Sequence, residues 1–372
     1  MIEKQQIAIS LLALSMLLLI GCGGGGGEPN NPLAGGNLNS DFKGKLFIGS
    51  EEDGPWIMNF STGRYTPIPG VLWEDNPDYF HSAHFSAYPV AYDGIEFIET
   101  IGQCRNNPGL LNYDDCIIIR DSQGGVVSKI DVPYETHGPA RLSRDRQYFA
   151  VPIEDPIGRL NHEALTLFTR DGSRIDASDE DVHSFDWLPD NRLIYASGQT
   201  LYITQPGSAK GSVLVTFPDT AGQPGQLAVS PDGSQLAFTL KTHANFIAIY
   251  GTTWVLNLDG SNLRQLTNTP GPNDPDIKTD DPIINFPTWS PDGRWIAVVE
   301  GRVVVTGNTG GIAKGGLFIV PSDGDNVMLI DDGTTTSAVL IYSYFEETYD
   351  FIDNPELSPR FNVDRGSLAW LP

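Results

Sequence analysis

Short apolar runs alternate with clusters of Gly, Pro, Asp, Asn and Ser along most of this chain, and no long stretch carries a 3.6-residue period. That pattern predicts many short β-strands joined by turns. The clearest instance is written twice. Ser230-Pro231-Asp232-Gly233 separates Leu227-Ala228-Val229 from Leu236-Ala237-Phe238, and Ser290-Pro291-Asp292-Gly293 separates Pro287-Thr288-Trp289 from Trp295-Ile296-Ala297-Val298. Proline presets φ at the first central position of a turn, aspartate bonds its own backbone, and glycine takes the φ > 0 position that ends it. A strand–turn–strand unit that recurs cannot bury its faces alone and must stack on copies of itself.

Trp289 marks the end of a leading strand. Equivalent markers are Val229, Trp187 (before Leu188-Pro189-Asp190-Asn191), Leu142 (before Ser143-Arg144-Asp145-Arg146), Phe85 (before Ser86-Ala87) and Trp370. Each unit adds a second strand pair with its own glycine-bearing turn, at Gly124-Gly125, Asp171-Gly172, Pro206-Gly207, Asp259-Gly260 and Asp323-Gly324. Four strands per unit predict an all-β fold: a six-bladed β-propeller with four-stranded antiparallel blades. The first structured segment supplies three strands (Lys45 to Ile48, Trp56 to Asn59, Tyr65 to Ile68) and lacks a leader; Ser367 to Trp370 is a leader with nothing after it. Pairing of these N- and C-terminal strands would close the ring and remove its open edges. A seventh blade inside 333–366 is the alternative count.

The N-terminus reads as an address. Ile7 to Ile20 is an unbroken apolar and small-residue run, too short for a bilayer span but suited to a signal-peptide core. Leu19-Ile20-Gly21-Cys22 resembles the bacterial lipobox, which implies cleavage before Cys22 and its lipidation; an ordinary signal peptide with a chance cysteine is the other reading. Gly23, where an Asp would mark inner-membrane retention, implies by the same resemblance an outer-membrane anchor facing the periplasm or the cell surface. The expected organisation is a signal peptide over 1–21, a lipidated Cys and Gly/Pro/Asn tether over 22–40, and the propeller over 41–372. A coil of the 18 residues 23–40 reaches roughly 25 Å. With Cys22 lipidated, Cys104 and Cys116 remain as an even pair in an oxidising compartment, a candidate disulfide worth about 3 kcal/mol by loop entropy. Two free thiols are the alternative.

The formal net charge of −24 repels phosphate backbones and anionic headgroups, so nucleic acid is not an expected partner and the membrane is reached through the N-terminal lipid only. Catalytic motifs are missing. There is no Gly-x-Ser-x-Gly elbow, and His162-Glu163 has Thr166 where a His-Glu-x-x-His motif needs its second histidine.

Trp289-Ser290-Pro291-Asp292-Gly293-Arg294-Trp295-Ile296-Ala297, with Leu256-Asn257-Leu258-Asp259-Gly260-Ser261 and the Asn262 to Thr267 continuation, resembles TolB-type propeller repeats. The match is specific in the two C-terminal blades and weak before residue 130. It implies the fold and a general binding role, with no binding residues. TolB carries a small α/β domain ahead of its propeller; here a lipobox and tether lead into the first strand, which puts a TolB role in the Tol–Pal system in doubt.

The longest segments, 71–84, 101–116, 154–164, 241–253, 270–286, 301–316 and 333–366, all fall in second-to-third or inter-blade positions, on the face opposite the tight turns. Long loops on a rigid scaffold commonly carry binding. All six histidines fall on that face, His84, His162 and His243 among them. Of these, His81, His137 and His183 precede leading strands and could converge on a divalent metal; metal-dependent propeller lyases acting on uronides place a His cluster comparably. Trp73, Tyr79 and Phe80, with Tyr344 and Phe345, could form an aromatic platform for a glycan or peptide, or simply pack the loops. The expectation is a non-enzymatic module binding an envelope protein, peptide or glycan, with no cofactor. The alternative is a metal-assisted lyase or hydrolase.

Overall fold

The computed structural model describes residues 41–49, 56–68, 83–90, 94–101, 115–132, 136, 138–154, 163–182, 184–208, 210–244, 248–268, 283–305, 311–329, 338–347 and 367–372. They form six four-stranded antiparallel sheets, with one 3-10 turn at Asp219–Ala221. The first sheet joins β1 (Lys45–Gly49), β2 (Trp56–Asn59) and β3 (Arg64–Pro67) to β26 (Ser367–Leu371). The second is β4 (Ala83–Val90), β5 (Gly94–Ile101), β6 (Asp115–Arg120) and β7 (Val126–Val132). The third is β8 (Arg141–Leu142), β9 (Tyr148–Glu154), β10 (Glu163–Thr169) and β11 (Arg174–Asp181). The fourth is β12 (Ser184–Trp187), β13 (Leu193–Ser197), β14 (Thr200–Thr204) and β15 (Ser212–Thr216). The fifth is β16 (Gln223–Val229), β17 (Gln235–Ala244), β18 (Ala248–Asn257) and β19 (Arg264–Gln265). The sixth is β21 (Ile283–Trp289), β22 (Trp295–Val305), β23 (Gly311–Pro321) and β25 (Val339–Glu347). Between the last two sheets, β20 (Thr267–Asn268) and β24 (Val327–Met328) pair in parallel.

Strand alternation explains how the sheets pack. Side chains of successive strand residues point to opposite faces. In β22, Ile296 and Val298 join a cluster with Ala228 and Val255 of the fifth sheet, while Ala297 and Val299 join one with Leu46 and Trp370 of the first. In β13, Leu193 and Tyr195 pack with Leu165 of the third sheet, and Ile194 and Ala196 with Leu227 and Phe238 of the fifth. A strand buried on both faces must be apolar at every position, which is why these strands read Ile-Ala-Val-Val and Leu-Ile-Tyr-Ala. Further clusters join Ile117 and Ile119 of the second sheet to Phe149 and Val151 of the third, and Phe47 of the first to Phe97 of the second. Face-to-face packing of four-stranded antiparallel sheets in chain order is the β-propeller class of architecture.

The first sheet draws on both ends of the sequence: Leu46 pairs with Trp370, Phe47 with Ala369 and Ile48 with Leu368. The leading strands of the third to sixth sheets end at Leu142, Trp187, Val229 and Trp289, where the turn motifs place them.

Four expectations are corrected. First, Phe85 does not end a leading strand; β4 continues to Val90, and Val90 pairs with Gly94. Second, 241–253 and 301–316 are mostly strand, because β17–β18 and β22–β23 extend as long hairpins out to the pairs Ala244–Ala248 and Val305–Gly311. Third, Asp323-Gly324 does not turn the chain into the sixth sheet's fourth strand. Val327–Met328 pairs with Thr267–Asn268 instead, and the fourth strand is Val339–Glu347, inside a segment expected to be loop. Fourth, His84 and His243 stand in β4 and β17 rather than in connections.

Candidate functional site

The two ends of the sheets are built differently. At one end lie the first-to-second and third-to-fourth connections; most of the described turns there are closed by their own side chains, while 322–338 makes a long third-to-fourth connection in the sixth sheet. Ser230 Oγ donates to Asp232 Oδ1 at 2.7 Å and accepts the backbone N–H groups of Ser234 and Gln235 at 3.1 and 2.9 Å. Ser290 repeats this with Asp292 at 2.7 Å and Trp295 N at 3.0 Å, and Ser143 with Asp145 at 2.7 Å and Tyr148 N at 3.0 Å. Successive turns touch. Asp145 N donates to Asn191 Oδ1 at 3.1 Å, and a Cβ on Gly233 would stand 2.8 Å from the Pro189 ring. The third-to-fourth turns lie against the outermost strand of the preceding sheet: a Cβ on Gly172 would stand 2.7 Å from Ile130, and one on Gly260 3.5 Å from Leu214 O.

These bonds lower the turn carboxyls. The Thr169 hydroxyl holds Asp171 below the usual carboxylate range, Ser230 holds Asp232 there, and Ser261 holds Asp259. Desolvation alone would raise Asp292, but bonds from Ser290 and Arg294 outweigh it and the net shift is down. The turn end therefore carries a set of aspartates that stay ionised in mild acid.

At the opposite end the spacing between elements is large and uneven. Residues 102–114 separate β5 from β6, 155–162 separate β9 from β10, and 269–282 separate β20 from β21. Short connections lie there too: the two-residue Gly198-Gln199 turn between β13 and β14, 182–183 between β11 and β12, and 245–247 between β17 and β18. Asp115 anchors part of this end: its Oδ2 accepts Thr136 N at 2.6 Å and Thr136 Oγ1 at 2.7 Å, tying the connection before β8 to the head of β6.

Between the ends, the leading strands carry a buried polar network. Arg141 on β8 lies 3.4 Å from Asp186 Oδ1 on β12 and donates to Leu227 O on β16 at 3.0 Å, with its guanidinium over the Phe185 ring. Asp186 Oδ2 accepts Val229 N at 2.7 Å, and Ser184 Oγ accepts Leu227 N at 3.0 Å. Three successive sheets are thus joined through one arginine. Both Asp186 oxygens are engaged, so the network holds strands together and offers no free base. Only Ser184-Phe185-Asp186-Trp187, an alternation of polar and aromatic residues in a leading strand, points to it in the sequence. A second buried pair, Glu99–Arg120 at 2.6 Å, sits within the second sheet, where Arg120 also donates to Gly124 O. Desolvation raises the Glu99 carboxyl against the opposing pull of Arg120.

Of the residues singled out for function, Cys22, Trp73, Tyr79, Phe80, His81, Cys104, His137 and His183 lie outside the described residues, as does His162. Tyr344 and Phe345 are neighbours in β25, in register with Gly315 and Lys314, not in a loop. Cys116 is buried in β6, with Sγ 3.6 Å from Asp131 Oδ1. Among the described residues no three His, Cys, Asp or Glu side chains are grouped to hold a metal ion, and no helix is long and apolar enough to cross a membrane.

No family model matches the chain, and no curated protein is similar to it in sequence. Solved structures are similar in strand arrangement. They include an oligogalacturonate lyase from Vibrio parahaemolyticus (16% identity over 68% of this chain and 71% of that one, TM-score 0.39). An ancestral GH74 enzyme is 14% identical over 83% of this chain, which spans 37% of the enzyme's length, with a TM-score of 0.42. The β-propeller domain of the trilobed protease from Pyrococcus furiosus is 10% identical over 64% of this chain and 82% of that domain, with a TM-score of 0.33. At these identities and TM-scores the likeness carries no residue, substrate or reaction to this chain.

Proposed function

We propose that this chain is a six-bladed, TolB-like propeller lipoprotein, anchored in the outer membrane through Cys22, that binds an envelope protein, peptide or glycan with its long-connection end. Closure of the ring by the two chain ends is part of this reading. It is supported by the β26–β1 ladder and by the cluster that sets Ala297 and Leu317 of the sixth sheet against Leu46 and Met58 of the first. A Cys104–Cys116 disulfide near the same end is also part of it.

The observation that carries the binding role is the asymmetry between the ends. Most described turns at the turn end are closed by their own hydrogen bonds, while 102–114, 155–162 and 269–282 separate elements at the other, the end to which this reading assigns Trp73, Tyr79 and Phe80. A rigid scaffold with elaboration on one side is how binding surfaces are commonly presented.

Affinity capture from envelope extracts tests this. Wild type should retain a partner that the Trp73→Ala/Tyr79→Ala/Phe80→Ala triple variant loses. Capture of the same partner by the triple variant would move the site off these aromatics. A cut confined to 348–366 is the matching loop variant, since removing 333–366 would take β25 with it. The competing enzyme reading makes a different demand: a stoichiometric divalent ion in the purified chain, lost in His81→Ala, His137→Ala and His183→Ala.

A further inference from the structure

The described chain begins at Asp41, and the place where it begins is fixed. Phe42 is buried against Trp295 (ring centroids 5.1 Å apart, planes at 86°), Phe60 (5.8 Å) and Trp370 (6.1 Å). Lys43 O accepts the Trp370 indole N–H at 2.8 Å. Gly44 has φ +86° and lies so close to Leu371 O that a side chain there has no room. Trp295 directly follows the Ser290 to Arg294 turn, and Leu371 ends β26 opposite Lys45. Asp41 is near enough to Arg294 to contribute to that guanidinium's raised pKa. Every one of these contacts belongs to the turn end. The chain therefore enters the folded part at the turn end, opposite 102–114, 155–162 and 269–282.

We propose that the turn end is held toward the anchoring bilayer and the long-connection end is presented away from it, to a partner outside that bilayer. This rests on the lipid anchor of the preceding section. Two physical quantities set the bias. The Gly/Pro/Asn-rich composition of the 18 residues 23–40 predicts a coil, for which the root-mean-square reach is roughly 25 Å. The longest strands run 11 residues, about 36 Å at roughly 3.3 Å per residue. Turning the molecule over would stretch the tether past its mean reach along the side of the sheets. Asp121, Asp145, Asp190, Asp232 and Asp292 lie at the turn end together with Arg144, Arg146, Arg170, Arg192 and Arg294, and Asp190 and Asp292 are paired with Arg192 and Arg294, so charge gives this end no strong pull toward an anionic bilayer and no strong push from it. It is positioned by the tether rather than bound, and the far end is left free.

The test uses the full lipidated chain, purified from membranes and reconstituted into phosphatidylethanolamine–phosphatidylglycerol vesicles carrying a headgroup acceptor dye. A donor is attached at Ser234→Cys, on the turn end, or at Gln199→Cys, in the two-residue turn at the opposite end. Labelling of the unsubstituted chain sets the background from Cys104 and Cys116. Energy transfer should be more than about twofold higher from 234 than from 199, given a separation of several strand residues at roughly 3.3 Å each. Equal transfer, or higher transfer from 199, with the chain retained on the vesicles overturns the orientation alone. Wild-type chain that fails to stay on vesicles, or a Cys22→Ser variant that stays as well as wild type, overturns the anchor itself and the orientation with it.

Discussion

Four residues end the first-to-second turns with positive φ: Arg146 (58°), Asn191 (64°), Gly233 (71°) and Gly293 (71°). Glycine reaches that region freely, whereas an L side chain there costs roughly 1–2 kcal/mol. The two glycines share a backbone but not a neighbourhood. Nothing lies within 4 Å of a Cβ built on Gly293, while one on Gly233 meets the stiff Pro189 ring at 2.8 Å. Gly293→Ala should therefore lower unfolding free energy by about 1 kcal/mol, and Gly233→Ala by a further ~1 kcal/mol or more for the forced shift of the ring. Urea midpoints of the two variants check the order. The turn carboxyls make a second prediction. A carboxyl whose folded pKa is lowered contributes stability above its unfolded pKa, near 4, and loses it as pH falls through the folded value. Asp171, Asp232, Asp259 and Asp292 all have this sign. Glu99 has the opposite one: raised by burial, it favours the folded state more as pH falls. With four groups against one, stability should decline below about pH 4, and Asp232→Asn should flatten that decline, as read from thermal midpoints across the acid range. At this scale the sequence was informative because Ser-Pro-Asp-Gly names its own backbone geometry. Arg146 and Asn191 were found only by alignment to it.

At the scale of elements, the sixth sheet departs most from expectation. Asp323-Gly324 makes a tight turn, but a turn reports only where the chain reverses, not which strand the next residues join. Here they pair with Thr267–Asn268, just beyond the fifth sheet's last strand. Arg264 donates to Ser322 O and Gly324 O, and Val327 N and Leu329 N donate to Leu266 O and Asn268 O at 2.8 Å each. The arginine is part-buried and holds the turn against its neighbour. Arg264→Ala should cost about 2 kcal/mol, since it strips charged hydrogen bonds from two carbonyls. Amide exchange at Val327 and Leu329 should rise well before exchange at Ile319 does. β25 was hidden for the same reason: its partner strand β23 ends 18 residues earlier, at Pro321, and local periodicity carries no memory of that separation. Phe85 ends no strand because Ser86-Ala87 carries neither the proline nor the glycine of a turn and lies within β4, and the reversal lies between Val90 and Gly94.

At the scale of the whole molecule, stability is distributed around the sheet-to-sheet clusters and pinned by a few polar ties. Trp187 Nε1 donates to Arg141 O and Trp289 Nε1 to Ala228 O, each at 2.9 Å, so a tryptophan at the end of one leading strand bonds the leading strand before it. Arg141 ties three such strands. Its removal leaves Asp186, 6% exposed, without its cation. Arg141→Ala should destabilise by about 3 kcal/mol, and the combination with Asp186→Asn should cost clearly less than the sum of the two single changes, because the penalty lies in stranding one charge. The architecture was legible because strand-period apolar runs and glycine turns recur along the chain. This network was not, because its members come from three separate repeats. The proposed binding end was legible only as residue types: Trp73, Tyr79, Phe80, His81, His137 and His183 lie outside the described residues, and Tyr344 and Phe345 stand in β25.

The pairing of Leu46 with Trp370 also sets an order of events. The strand that completes the first sheet, Ser367–Leu371, is made long after β1 to β3, so that sheet waits on distant residues to be finished. Contacts across so many intervening residues form slowly. A variant that stops short of Ser367 should leave β1 with an unpaired edge and be cut by proteases faster than one that includes Ser367–Leu371.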